Sequence, residues 1–220
     1  MIKFKRINVM NFENAIRGMR NPLNSWDKSD SDFGVDPAYF GHYGPYIGPD
    51  DLKLAQSLVR AGSDHRKFMR QIFVSVDITA PFYWWKEFDT YKVGTVANSC
   101  STMHTIHKAP LALTDFSIDD CTLEGFGEEC DLTLTDLFYR RISDLEVLRK
   151  KYLETKDPKY WRALIQLLPS GFLQMRTVTL NYEVLRNIYH SRKNHKLSEW
   201  SEGFVGFIKS LPYAEELITI

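Results

Sequence analysis

Between Ile78 and His107 the chain reads ITAPFYWWKEFDTYKVGTVANSCSTMHTIH, and this stretch limits the possible folds more than any other. Ala80-Pro81 gives it a sharp start, because proline fixes φ and suits the first turn of a helix. Phe82, Tyr83, Trp84, Trp85 and Phe88 follow. A helix this apolar all round must be buried. A short polar hinge comes next, Asp89-Thr90-Tyr91-Lys92, and then a run of small polar residues: Gly94, Thr95, Asn98, Ser99, Cys100, Ser101 and Thr102. Such residues pack a core poorly, but they let backbone and hydroxyls approach a ligand closely. On composition alone the stretch reads as a buried helix with a Ser/Thr-rich loop behind it.

The 220 residues suffice for one large domain with a substantial core, and a single domain over residues 1–220 is expected. The net charge of +0 gives no global basic surface for a nucleic acid polymer. No apolar run approaches the length of a membrane span, and the N-terminus is too charged for a signal peptide. Cys100, Cys121 and Cys130 are an odd number without metal-like spacing, so they read as reduced thiols in a cytoplasmic protein, and no metal site is expected.

In chain order, Ile2, Phe4, Ile7 and Val9 mark a first strand. Asn11 is positioned to cap a helix over FENAIRGMR, with Glu13 and Arg17 as an i,i+4 pair. Residues 20 to 50 read as an ordered surface loop, because Trp26, Phe33, Tyr39, Phe40, Tyr43 and Tyr46 argue against a disordered linker. Asp50 or Asp51 starts a helix that Gly62 ends, with Leu52, Leu54, Ala55, Leu58 and Val59 on its apolar face. Residues 71 to 78 have strand composition. Residues 109 to 130 read as loop, and their acidic run (Asp115, Asp119, Asp120, Glu124, Glu128, Glu129) reads as a solvated face. A long helix follows Thr133 or Thr135, with Leu137, Ile142, Leu145, Leu148 and Tyr152 as its stripe. Asp157-Pro158 starts another, stopped by Pro169. A strand over 172–180, a helix from Asn181 through Tyr189, a helix over 199–211 and a short terminal one complete an α+β order, a mixed sheet flanked by helices.

This arrangement resembles the flavin-dependent thymidylate synthases. Their signature follows an alanine-proline aromatic helix and reads R-H-R-x-x-S-x-N-E-x-S-x-R-Y. The same spacing from Ala80-Pro81 falls on Thr90 to Met103 here. Lys92 keeps a positive charge, Thr95 keeps a hydroxyl, and Cys100 is near-isosteric with serine. Thr90, Tyr91, Asn98 and Thr102 replace an arginine, a histidine, a glutamate and an arginine. The C-terminal third carries the family's leucine-proline step as Leu168-Pro169, then a strand, then N-x5-N-x4-R as Asn181, Asn187 and Arg192. Arg176 stands one place from the family's strand arginine, with Met175 at the aligned position. Glu183 stands where the family has a flavin-contacting arginine.

The resemblance implies a homotetramer that binds FAD where subunits meet. It assigns Tyr91, Lys92, Thr95, Asn181 and Asn187 to the cofactor, and Asn98, Cys100, Arg176 and Arg192 to a dUMP-like pyrimidine nucleotide. Reduced nicotinamide and folate are the implied co-substrates, and one-carbon transfer to the base the implied reaction. Each residue also has an ordinary role. Asn181 suits an N-cap, Lys92 a surface lysine, and Arg192, about 20° from Asn181 around the helix, a snorkelling arginine. Guanidinium forks hold phosphate and polarise carbonyls, and the signature has lost two of them. Weak or partial FAD binding and low or absent standard activity are therefore expected. The competing reading is a fold relative without catalysis, acting as a binding or structural protein. A thiol enzyme using Cys100 beside Lys92, His104 or His107 ranks third.

Overall fold

A computed structural model describes residues 2–34, 45–119, 122–123 and 132–220. Tyr39, Phe40, Tyr43, Cys121, Cys130, Asp120, Glu124, Glu128 and Glu129 lie outside the described residues. Strand β1 (Lys3–Met10), β2 (Phe73–Pro81), β3 (Val96–Ser99) and β6 (Leu173–Asn181) form a four-stranded sheet in the order β1-β2-β6-β3. The short β4 (Thr122–Leu123) and β5 (Leu132–Thr133) pair antiparallel. Along β2 the side chains alternate as a half-buried strand requires. Val74, Val76, Ile78 and Ala80 are buried, while Ser75, Asp77 and Thr79 are partly exposed. Thr177 donates to Asp77 at 2.6 Å and Thr179 donates to Ser75 at 3.2 Å, the opposed numbering of an antiparallel neighbour. The described residues divide into two compact units, one within 79–89 and 99–176, the other within 2–78, 90–98 and 177–220.

The second of these units carries helices α1 (Phe12–Arg20), α2 (Pro49–Ala61), α7 (Tyr182–Arg192) and α8 (Val205–Lys209). Its core holds Ile16, Ala55, Val59, Met69, Val76, Leu180, Leu185, Ile188, Trp200 and Phe204. Asn11 precedes α1 but does not cap it: its φ is 73°, and its amide donates instead to the Gln71 carbonyl at 2.9 Å. Arg17 lies over the Trp26 ring at 5.1 Å. Helix α2 starts one residue before Asp50, with Gly48 as its N-cap and Gly62 at its end with φ 112°. Its buried face begins with a charge: Asp51, with Ala55 and Val59. Asp51 is tolerated there because Arg20 donates to it at 2.5 Å and Ser29 and Ser31 each donate at 2.6 Å. Burial alone would raise its carboxyl, but the two hydroxyls and the Arg20 guanidinium outweigh that and hold it below its ordinary value.

The other unit is organised by the aromatic helix α3 (Phe82–Phe88) and by α4 (Thr102–Thr105), α5 (Leu134–Thr155) and α6 (Pro158–Leu167). Pro81 ends β2 and stands at the N-cap of α3, one position before the helix rather than within its first turn. Trp84, Trp85 and Phe88 are buried as expected. Two of the orphan amides of the first turn find backbone partners: Phe82 donates to Phe172 and Tyr83 to Ser170, both at 3.1 Å. Helix α5 starts after Thr133, whose hydroxyl accepts from the Asp136 amide while Asp136 accepts from the Thr133 amide, a reciprocal cap. Asp157 caps α6 through the Lys159 amide at 3.0 Å. Ile106, Leu111, Phe116, Ile142, Leu145 and Leu164 form the core beneath these helices. Within the small polar run, residues 96–99 are the edge strand β3 rather than loop. All four are exposed, so neither apolar alternation nor bulk marks them in sequence.

Candidate functional site

Of the nine residues singled out above, six fall into three local settings: Asn181 with Thr95, Arg192 with Tyr91, and Arg176 with Cys100. Around the N-terminus of α7, Asn181 is buried and its side-chain oxygen accepts from the Val184 amide at 3.0 Å. The ordinary role as an N-cap is therefore filled. Gly94 sits against it with φ +77°, and a Cβ there would lie 2.9 Å from the Asn181 amide nitrogen. Only glycine suits both that conformation and that approach. Next to it, the Thr95 hydroxyl is buried without a hydrogen-bond partner among the described residues. Lys92, Asn98 and Asn187 are exposed.

Arg192, at the other end of α7, donates from Nε to the Tyr91 hydroxyl at 2.9 Å. Its guanidinium carbon lies 4.8 Å from the centre of the buried Trp200 ring and 5.7 Å from that of Tyr91. The structure thus joins Arg192 to Tyr91 and adds Trp200, which sequence reasoning missed. A buried tryptophan after the polar segment HSRKNHKLSE was the available signal. Lys92 and Asn187 do not share those contacts.

Glu183 does not stand as an uncompensated negative charge. It is buried, and Arg66 Nε donates to its two oxygens at 2.8 and 3.1 Å. Arg66 lies 117 positions away, so no local pattern pointed to it. Behind them, Arg186 donates to the Ile218 carbonyl at 2.9 Å and to the Ile220 carbonyl, and one of its nitrogens lies 2.7 Å from His190 Nε2. Burial, and then the Arg186 charge, lower the His190 pKa.

In the other unit, an open cleft of about 550 Å³ is walled by Ser99, Ser101, Thr102, Gln174 and Arg176. Phe82, Met103, Ile165 and Leu168 supply its apolar side. Strand β6 brings Arg176, rather than Met175, to this cleft. Met175 offers only its carbonyl, which accepts from the Cys100 amide at 2.9 Å. Arg176 Nη1 donates to Asp89 at 2.7 Å, its Nε to Gln174 at 3.0 Å, and its guanidinium lies 4.2 Å over the Trp85 ring. The Gln174 amide in turn donates to the Cys100 carbonyl at 3.0 Å and to the Thr102 hydroxyl at 3.3 Å. Cys100 is an exposed free thiol, and no His/Cys/Asp/Glu cluster fit for a metal occurs among the described residues. No helix of the described residues is long and apolar enough to cross a membrane.

No protein-family model and no curated protein matches this chain. Solved structures do. Thymidylate synthase X from Helicobacter pylori with FAD and dUMP is 15% identical, with 99% of this chain and 96% of that one covered at a TM-score of 0.69. A second structure of flavin-dependent thymidylate synthase ThyX from the same organism, complexed with FAD and dUMP, is 14% identical, with 98% of each chain covered at 0.68. The UMP/dUMP methylase PolB from Streptomyces cacaoi, bound with 5-Br UMP, is 13% identical, with 86% of this chain and 75% of that one covered at 0.55. The chain has the fold of the flavin-dependent thymidylate synthases, the α+β fold expected from its sequence. At these identities the likeness extends to the fold alone; Thr90, Tyr91, Asn98 and Thr102 depart from the signature quoted above, and Glu183 from the arginine that the resemblance expects on α7.

Proposed function

We propose that this protein is a divergent flavin-dependent thymidylate synthase-like protein that binds FAD and a dUMP-like pyrimidine nucleotide, retaining the pocket more fully than the standard reaction. The observation that carries this reading is the cleft in which Ser99, Ser101, Thr102, Gln174 and Arg176 come together behind the aromatic helix. The fold match to proteins solved with FAD and dUMP supports it. Three residues suit a flavin nucleotide by type and exposure: Thr95 has a buried hydroxyl without a partner among the described residues, Lys92 is exposed, and Asn187 is exposed on α7, the helix that Asn181 caps. Lys92 would offset phosphate charge, and Thr95 and Asn187 would serve the ring edge. Bound FAD would supply hydride transfer, with reduced nicotinamide and folate as co-substrates. In the first unit Arg176 would stand at the wall of a nucleotide cleft, and in the second unit Arg192 would serve an anionic group. Arg66 sets a positive charge against Glu183, which supports an anionic cofactor near this helix despite the carboxylate.

The lost arginines favour the second reading, a relative without catalysis. Thr102 stands in the cleft wall where the resemblance places an arginine, and a hydroxyl cannot stabilise a developing negative charge as a guanidinium does. A homotetramer and a cytoplasmic setting belong to the same proposal. Complementation of a thymidine-requiring strain, with the visible spectrum of the purified protein, separates the readings. No growth with bound or bindable flavin is expected. Growth without thymidine would mean that the missing arginines matter less than argued. No growth and no flavin binding would favour the non-catalytic relative.

A further inference from the structure

Another open cavity, of about 380 Å³, lies along α5, and no described residue lines both it and the cleft at Arg176. Leu134, Leu137 and Phe138 of α5 give it an apolar floor with Pro169, and Arg140, Arg141 and Asp144 line its other end. Leu134, Leu137, Phe138 and Arg141 recur at i, i+3, i+4 and i+7, so one face of the helix passes from apolar to charged within two turns. The two arginines stand about 4.5 Å along the helix axis from Leu137 and Phe138. Both are exposed, and neither makes an ion pair with a described residue. Asp136, one turn earlier, is committed to the α5 cap, where it accepts from the Thr133 amide at 2.9 Å and the Thr133 hydroxyl at 2.7 Å. The described walls therefore set two guanidinium groups against one carboxylate, a balance that suits a single negative charge. The apolar end suits an aliphatic body. Three of its four residues are aliphatic, and the Phe138 ring already packs against Phe116 at 5.4 Å between centroids.

We infer that this cavity binds a medium-chain aliphatic monocarboxylate, with its chain on Leu134, Leu137, Phe138 and Pro169 and its carboxylate on Arg140 and Arg141. The site is separate from the residues assigned above to flavin and nucleotide, none of which lines it. A cavity of this size holds a small ligand rather than a folded partner.

The probes are octanoate, its uncharged amide octanamide, and butanoate, titrated onto protein carrying ¹³C-methyl leucine. Leu134 and Leu137 report binding in the cavity. Octanoate should bind there about fivefold tighter than octanamide, a ratio that shrinks with added salt. It should bind at least about tenfold tighter than butanoate, whose chain covers less of the floor. In the double variant Arg140→Gln with Arg141→Gln the octanoate-to-octanamide ratio should fall to within about twofold. The chain-length comparison needs no variant, so it tests the floor independently. Equal binding of octanoate and octanamide, a ratio unchanged in the double variant, or millimolar octanoate that never moves these methyls overturns the inference. Displacement of octanoate by dUMP also overturns it, since the cavity would then belong to the nucleotide. Sedimentation with phosphatidylglycerol vesicles, without methyl shifts by octanoate, would assign the arginines to a lipid surface and overturn it as well.

Discussion

Arg192 is held on the Tyr91 hydroxyl and against Trp200, so its guanidinium plane has a fixed orientation. A lysine would keep the charge but lose the planar fork and most of the stacking. If Arg192 binds the nucleotide phosphate, Arg192→Lys should weaken dUMP binding by about 1–2 kcal/mol, roughly tenfold in Kd, by calorimetry. Equal affinity in parent and variant would remove Arg192 from the site. The Arg66–Glu183 pair makes a second prediction. Both side chains are largely buried, at 18% and 10% exposure. Arg66→Ala leaves the Glu183 carboxylate without its partner and should cost about 3 kcal/mol in chemical denaturation. A loss below about 0.5 kcal/mol would mean that the pair behaves as an exposed one. At this scale the sequence was a partial guide. Asn181 filled the N-cap role that its place between strand and helix implied, and Lys92 is as exposed as an isolated lysine should be. The partner of Glu183 was not legible, because it comes from a segment 117 positions away and only folding brings the two together.

Caps and breakers made most elements legible. Asp157-Pro158, Thr133 with Asp136, and Gly62 all mark ends that their side-chain chemistry dictates. Thr133→Ala removes one half of the reciprocal cap of α5 and should lower stability by about 1 kcal/mol, measured by denaturant midpoint at constant m-value. No change would assign the start of α5 to packing alone. Elements defined by tertiary contacts were less legible. Strand β3 is exposed throughout, so its place at the sheet edge follows from pairing rather than composition. Asn11 looked like a cap by type and position, but its left-handed backbone turns the side chain toward Gln71 instead. The alternation of β2 and the aromatic block of α3 stood out because burial imposes a period or a bulk that sequence records directly.

At the scale of the molecule, the overall α+β order followed from the element pattern, while the particular fold was reached through the spacing of Ala80-Pro81, Leu168-Pro169, Asn181, Asn187 and Arg192. A buried charge network ties down part of that fold. Asp51, held by Arg20, Ser29 and Ser31, has a folded pKa below its unfolded value, so its stabilising effect is full above the ordinary carboxylate pKa of about 4. That contribution is lost as pH falls from there through the depressed folded value. Asp51→Asn should therefore flatten the acid limb of the stability curve and leave the slope near pH 7 unchanged. An acid limb identical to the parent's would shift the sensitivity to other carboxylates.

The central claim is that this chain keeps a nucleotide and flavin pocket on a fold whose catalytic signature has been replaced. Titration of the purified protein with dUMP in the presence of FAD, read by calorimetry and by the visible flavin bands, tests it most directly. Saturable dUMP heat and a perturbed flavin spectrum are predicted, with binding weakened by Arg192→Lys. Absence of dUMP heat together with an unperturbed, freely dialysable flavin would contradict the account.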